Sequence, residues 1–206
     1  MVERGFSVVC VEAGAALAQH ARANLTGLPA TVHVALFEQW PGKPESFDLV
    51  YAATAWHWLD SSVRYRKAHQ LLRPAGHLAF WSALHAFPQG FDPFFTEIQE
   101  VYDAIGERWE ARWPPPPPEE MPDDTAEIEA SGLFQNVQAR RYVWEVSYDA
   151  EEYIALLNTF SGHIAMDAGK RACLYREIRD RINRRSERRV RRHWYAILHL
   201  ARRSEG

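Results

Sequence analysis

The chain has 206 residues, of which 47% are hydrophobic and 25% charged, and its formal net charge is -3. No apolar run approaches the roughly 20 residues that cross a bilayer, and no apolar signal core follows the N-terminal charges. Cys10 and Cys173 are too few for a disulfide framework. We therefore expect a globular protein in the cytoplasm, with no membrane partner.

The charge is unevenly distributed, because residues 170–206 contain thirteen Lys and Arg against four Asp and Glu. The Arg179–Arg192 cluster has two interpretations. It is either a solvated helix end and loop, or a patch that contacts phosphate. The first is favoured because Glu177–Arg181 and Asp180–Arg184 have the i,i+4 spacing of helical ion pairs. No nucleic-acid motif accompanies the cluster, so we expect no nucleic-acid partner.

The chain begins with an apolar strand, Phe6–Val11, that ends at the acid Glu12. Gly14–Leu25 follows as a predicted helix with Leu17, Ala21 and Leu25 on one apolar face. This order is typical of the second strand of a doubly wound nucleotide-binding sheet, where the acid binds the ribose hydroxyls. A Gly-rich loop is expected about 20 residues earlier, but only eleven residues precede Glu12. The pattern predicts a sheet without its first strand and helix.

Strands and helices alternate as far as residue 82, which predicts an α/β fold with a parallel sheet. The predicted elements are strands at Thr31–Leu36, Phe47–Ala52 and His77–Ser82, and a helix from Asp60 or Ser61 to Leu72.

The second half is predicted to be mainly helical. An aromatic stripe from Phe91 to Trp109 follows the cap Asp92 and is interpreted as core rather than as a ligand pocket. Pro114–Pro118 is a stiff extended spacer. The remaining predicted elements are helices at Ala126–Ala130, Glu151–Phe160 (opened by an Asp149–Glu152 capping box) and Asp167–Asn183, and strands at Val137–Val146 and Val190–Leu200.

Four segments, FSVVCVEAG, LFEQW, FDLVYAATAWHWLD and LLRPAGHLAFW, occur in an order and spacing that resemble the class I S-adenosylmethionine-dependent methyltransferases. The nearest branch is the small-molecule type related to the quinone-biosynthesis and trans-aconitate methyltransferases. The resemblance implies one Rossmann-like domain over residues 1–206, mostly parallel, with a C-terminal antiparallel hairpin. Residues 1–88 would be a truncated cofactor-binding half, and 89–206 would supply substrate-side helices and the hairpin.

The resemblance also implies S-adenosyl-L-methionine as cofactor and assigns its contacts. Glu12 would bind the ribose diol, since a carboxylate accepts hydrogen bonds from two hydroxyls; the same carboxylate could cap the helix that follows. Leu36 stands where the family often has Asp or Ser. The other implied cofactor contacts are Ala13 beside the adenine, Leu36 and Phe37 at the adenine edge, and Ala53 and Thr54 near the methionine part.

The implied acceptor is a small molecule held near His57 and Trp58, and His57 is the candidate catalytic base. The alternative is that Trp58 belongs to the core and His57 to the surface. The sequence contains no group of residues with the spacing that is typical of metal ligands. Weaker substrate-binding candidates are Trp81, Ser161 and His163.

The absent strand would lie between Phe6–Val11 and Phe47–Ala52. Its absence leaves three outcomes: direct pairing of these two strands, a gap, or a true start upstream of Met1. We expect weak or no cofactor binding by this chain. Two other functions stay open, namely an inactive binding or scaffolding module, such as a homodimer that covers the open edge, and an NAD-type oxidoreductase.

Overall fold

The computed structural model describes residues 1–107 and 113–205, which form two compact units. Unit 1 contains residues 1–81, 124–139 and 199–205, and unit 2 contains residues 82–107, 113–123 and 140–198. The predicted halves were contiguous in sequence. In the structure, residues 124–139 and 199–205 instead fold with the N-terminal segment.

The strands are β1 (Val8–Glu12), β2 (Ala30–Val34), β3 (Phe47–Ala53), β4 (Leu72–Ala86), β5 (Phe134–Tyr148) and β6 (Val190–Arg203). The helices are α1 (Ala15–Asn24), α2 (Arg64–Leu71), α3 (Phe94–Glu97), α4 (Gln99–Ala104), α5 (Thr125–Ala130), α6 (Ala150–Leu157), α7 (Ser161–Ala165) and α8 (Ala168–Arg184). Short 3-10 turns occupy Val2–Arg4, Trp56–Trp58 and Pro118–Glu120.

The strands form two sheets. β1 and β2 make a parallel pair, and the second sheet has the order β3-β4-β6-β5. β3 and β4 are parallel. β5 and β6 run antiparallel, because the Ser204 N–H after β6 donates to the Leu133 carbonyl before β5, whereas Arg189, before β6, reaches the Ser147 carbonyl near the end of β5. The predicted mixed α/β sheet with a C-terminal hairpin is confirmed.

β1 does not pair with β3, so the first of the three outcomes, direct pairing, does not occur and a gap separates the two strands. The two strands nevertheless belong to the same unit. Burial, and secondarily the neighbouring Cys10 thiol, raise the pKa of Tyr51 on β3. Cys10 on β1 therefore lies within electrostatic range of β3, although no backbone hydrogen bonds join the strands.

On the predicted apolar face of the first helix, Ala21 and Leu25 are partly buried, but Leu17 is not. In α1 the buried side chain is Ala18, whereas Leu17 is 64% exposed. The helix begins at Ala15, and the short Ala18 side chain lets its backbone approach β1 and β2 closely. The only large apolar residue of this turn consequently points to solvent.

Each unit has its own core. In unit 1, buried aromatic and aliphatic side chains surround Trp56, which stacks on Phe80 at 4.8 Å between ring centroids. In unit 2, α3 and α4 pack with α6 and α8 around Phe94. The predicted aromatic stripe after Asp92 is thus core as far as the structure describes it, and Trp109 lies outside the described residues. The helix is interrupted at Ile98, between α3 and α4.

The predicted capping box is confirmed, whereas the N-cap of α3 is Pro93 and not the predicted Asp92, which still bonds the backbone there. Asp149 Oδ1 accepts from the Glu152 N–H at 2.8 Å, and the Glu152 carboxylate accepts from the Asp149 N–H at 2.8 Å, which completes the capping box of α6. Asp92 Oδ1 accepts from the Phe94 N–H at 3.0 Å at the start of α3.

Most arginines of the Arg179–Arg192 cluster are at least partly exposed and paired with an acid, in agreement with the solvated interpretation. Arg179 bonds Glu151 at 2.6 Å, and Arg181 reaches Glu177 at 3.9 Å. The expected Asp180–Arg184 pair does not form among the described residues. Arg192 departs from the pattern, because its side chain is buried on β6.

None of the helices in the described ranges is long and apolar enough to cross a membrane.

Candidate functional site

The carboxyl ends of β1, β2 and β3 lie together in unit 1. Because β1 and β2 are parallel and in register, Glu12 stands opposite Val34. The Glu12 carbonyl accepts from the Ala35 N–H at 3.1 Å. The loop after β2 meets the loop after β3 where Glu38 Oε1 accepts from the Asp60 N–H at 2.9 Å. In α/β sheets this edge is where ligands bind.

Glu12 divides its carboxylate between two roles. Oε1 accepts from the Gly14 N–H at 2.7 Å, which satisfies a free donor at the start of α1. Oε2 has no hydrogen-bond partner among the described residues. Both interpretations of Glu12 therefore remain compatible, with one oxygen capping the helix and the other able to accept from a ligand hydroxyl.

Leu36 and Phe37 directly follow the residue that pairs with β1. Leu36 is 49% exposed, and its carbonyl accepts from the Trp40 N–H at 3.0 Å. Phe37 packs against the unit 1 core, and its N–H makes no hydrogen bond within the described chain. Ala13 is exposed next to Glu12. The turn thus presents an apolar edge and a free backbone donor.

Ala53 ends β3 opposite Trp81 of β4. The next residue, Thr54, has a φ of 52°, a left-handed conformation that is unfavourable for a β-branched side chain. Its N–H donates to the Trp81 carbonyl at 2.7 Å. Non-glycine residues held in this region tend to cluster at functional sites, and both Ala53 and Thr54 are exposed.

His57 and Trp58 lie in a 3-10 turn directly after this strand end. Trp58 is 78% exposed, so its interpretation as a core residue is wrong. Trp56 takes the core position instead, because its carbonyl accepts from the buried Arg64 guanidinium and its ring packs between Tyr65 and Phe80. His57 is exposed, with its ring centroid 5.0 Å from that of Trp58.

Residues 1–80 match the model of a family described as a methyltransferase domain. The match contains every position described so far at the ends of β1, β2 and β3. This part of the chain is therefore similar to a methyltransferase domain.

One curated protein is similar to part of the chain. The chain is 26% identical over 121 residues to a candidate methyltransferase of Dictyostelium discoideum, a match that covers 58% of this chain and 44% of that protein. The chain thus spans less than half the length of this curated relative.

Two solved structures show the fold. A candidate type II methyltransferase from Anaeromyxobacter dehalogenans has a TM-score of 0.64 at 20% identity, covering 97% of this chain and 82% of that one. The YcgJ protein of Bacillus subtilis has a TM-score of 0.52 at 15% identity, covering 96% and 82%.

The weaker substrate candidates fall in different units of the chain. Trp81 belongs to unit 1, where its ring stacks on Tyr51 at 6.1 Å. Ser161 and His163 belong to unit 2 on α7. His163 Nε2 hydrogen bonds the Tyr102 hydroxyl at 3.0 Å, and burial, followed by Arg192, lowers the pKa of His163. The structure gives His163 a buried partner and leaves Ser161 exposed.

A cleft of about 450 Å³ opens in unit 1 between β1, β2 and the start of β3. It is lined by Val9, His33, Trp40 and Phe47, among others, and contains none of the predicted cofactor residues. From the sequence these residues could be predicted only as strand and turn positions. No local sequence signal distinguishes an apolar strand face that is open to solvent from one that is covered by other residues. Within the described ranges, no cluster of acidic, His and Cys side chains could hold a metal ion.

The backbone of Thr54 gives a direct test of strain at the candidate site. Thr54→Gly should raise the free energy of unfolding by up to about 1 kcal/mol, because glycine adopts a positive φ without a side-chain penalty. Thr31→Gly is the matched control on β2, where φ is not positive, and should destabilise the protein. Chemical denaturation measures both. A loss of stability in Thr54→Gly as large as in the control would contradict the strain.

Proposed function

We propose that this chain uses S-adenosyl-L-methionine to methylate a small-molecule acceptor. The observation that carries the proposal is Glu12, an acid at the end of β1 with one carboxylate oxygen engaged by α1 and the other unpartnered. The methyltransferase-domain match over residues 1–80 supports it.

The described residues fit the adenosine half of the cofactor. Glu12 Oε2 would accept from the ribose hydroxyls. The Phe37 ring and N–H would hold the adenine edge, with exposed Ala13 beside it. Because Leu36 has no polar side chain, the hydrogen bond to the adenine would come from the Phe37 backbone. Ala53 and Thr54 would allow the methionine part to approach the backbone at the end of β3.

The cofactor, when bound, supplies a methyl group already activated on a sulfonium. The chain then has to align the acceptor and exclude water. The exposed Trp58 ring suits a wall beside a cationic centre, since aromatic faces attract cations. His57 is placed in the same turn and would take a proton where the acceptor must lose one.

Glu12→Gln tests the ribose contact without removing the helix cap, because a Gln side-chain oxygen still accepts from the Gly14 N–H. We expect affinity for S-adenosylhomocysteine to fall about tenfold, the effect of losing a charged hydrogen-bond acceptor. Calorimetry measures this, and Glu3→Gln on the exposed N-terminal turn is the matched control. Equal affinities for Glu12→Gln and the unmutated chain would contradict the role of Glu12.

We further propose that the gap between β1 and β3 limits cofactor affinity. Each strand has a hydrogen-bond ladder on one side only. Without a ladder across the gap, Glu12 and Thr54 are held on separate sheets. Ligand binding would then have to fix their mutual position, and this ordering opposes binding.

An N-terminally extended version, made by translating the DNA in frame upstream of the Met1 codon, tests this proposal. If the added segment supplies a strand and a Gly-rich loop, S-adenosylmethionine should bind it at least about tenfold more tightly than the present chain. Calorimetry on both proteins decides the matter. Equal micromolar affinities would contradict the proposal.

A non-catalytic module is the second candidate function, and the exposed apolar side chains around β1 and α1 favour it. Phe6, Val9 and Leu17 are all exposed, and such groups are typical of surfaces that contact a partner when they adjoin one another. A stable dimer by sedimentation, with no cofactor uptake, would favour this candidate over methyl transfer.

A further inference from the structure

Arg192 is a buried cation that has no carboxylate partner within residues 1–107 and 113–205. Its residue is 5% exposed, inside unit 2. The guanidinium offers five N–H donors, yet its one hydrogen bond within the described ranges is a long one of 3.4 Å, from Nη1 to the Tyr153 hydroxyl. Nε is buried and has no partner. Burying a charge in this way costs free energy unless something compensates for it.

Neighbouring arginines show how unusual this is. Arg185 bonds Asp92 at 2.7 Å, Arg189 bonds Glu152 at 2.8 Å, and Arg191 lies 3.7 Å from Glu145. All three are more exposed than Arg192, and all have an acid. The most deeply buried guanidinium of this segment therefore lacks an anion among the described residues, whereas these three partly or fully exposed neighbours each have one.

Aromatic rings hold the Arg192 guanidinium in place without neutralising it. Its central carbon lies 4.4 Å from the Trp194 ring centroid and 5.3 Å from that of Phe160. Burial lowers the pKa of Arg192, and the electrostatic influence of Tyr153, Tyr148 and Tyr102 acts in the opposite direction. Arginine stays protonated in proteins, so the rings surround a single positive charge.

Two histidines close to Arg192, His85 and His163, have lowered pKa values. Burial, then Arg192 and His193, lower the pKa of His85 to about 2, and burial followed by Arg192 lowers that of His163. Buried His85 Nε2 has no hydrogen-bond partner. The surroundings thus offer one positive charge and further neutral polar atoms, which matches a monoanion better than a doubly charged phosphate.

We propose that unit 2 contains a binding site for a small organic carboxylate, with the carboxylate paired to Arg192 and its apolar body against the Trp194 and Phe160 rings. Planar guanidinium and carboxylate groups form two parallel hydrogen bonds, which makes this pair both strong and geometrically specific. The site is defined by residues of unit 2 alone, so its existence does not depend on methyl transfer.

Three probes on the full chain test the charge requirement without any mutation: benzoate, neutral benzamide and doubly charged phenyl phosphate. Titrations followed by the Arg192 Nε–H signal in nitrogen-edited NMR should show saturable binding of benzoate. Benzamide and phenyl phosphate should bind at least about tenfold more weakly. Absence of a saturable benzoate response up to high millimolar concentration, or equal binding of benzamide, would overturn the proposal. Tighter binding of phenyl phosphate would replace the carboxylate by a phosphate.

Two variants separate a ligand role from a structural one. Arg192→Met should fold with an unchanged or higher melting temperature and lose benzoate affinity at least about tenfold. Arg191→Met, on the exposed neighbour, should keep that affinity within about twofold. Arg192→Lys should retain an intermediate affinity, because it keeps the charge and loses the planar fork. A destabilised Arg192→Met, together with unaltered benzoate binding in Arg192→Lys and Arg191→Met, would show that Arg192 only supports the core.

Discussion

The backbone hydrogen bonds that β1 and β3 do not make with each other govern the behaviour of unit 1. β1 is paired only with β2, and β3 only with β4. A two-stranded sheet is at best marginally stable by itself, so β1 and β2 depend on α1 and on the loops that follow them. Cys10 and Tyr51 still lie within electrostatic range. The two strands are therefore near each other without being joined by a ladder.

Because β1 and β3 are not joined, the candidate cofactor site lies on a poorly buried part of unit 1. Ala18 is the sole buried residue in β1, α1 and β2, whereas unit 2 fully buries large side chains on several helices, including Phe94, Leu174 and Ile178. Thr54 adds a strained backbone at the same edge. Binding of the cofactor would thus also order this edge of the sheet. The affinity for the cofactor would then depend on how well ordered the edge is in the free chain.

The sequence predicts those features of the fold that depend on local signals. Apolar runs placed the strands, and Asp149 with Glu152 marked the start of α6, because capping needs only residues close in sequence. β4 extends beyond its predicted start, past the Ala75 residue of positive φ. In this extension, a shift in the register between β3 and β4 accommodates a segment whose sequence is typical of a turn.

Side-chain burial was harder to predict, since it depends on tertiary packing. The helical pattern placed Leu17 inside, but α1 approaches its sheet through Ala18. Trp58 and Trp56 are two residues apart, and only contacts with Tyr65 and Phe80 decide which is core. For Arg192 a signal existed: it occupies the same alternate positions of β6 as Val190 and Trp194. This alternation places the Arg192 charge on the apolar face of β6. The abundance of arginine in the segment nevertheless led to its interpretation as one of the solvated arginines.

Amide hydrogen exchange compares the two sheets of unit 1 most directly. The account predicts that the amides of β1 exchange at least about tenfold faster than those of β4 at Leu78–Phe80, because β1 has a ladder on one side and little cover. Protection of Val9–Val11 equal to that of Leu78–Phe80 would contradict it, since β1 would then be fixed as firmly as a central strand.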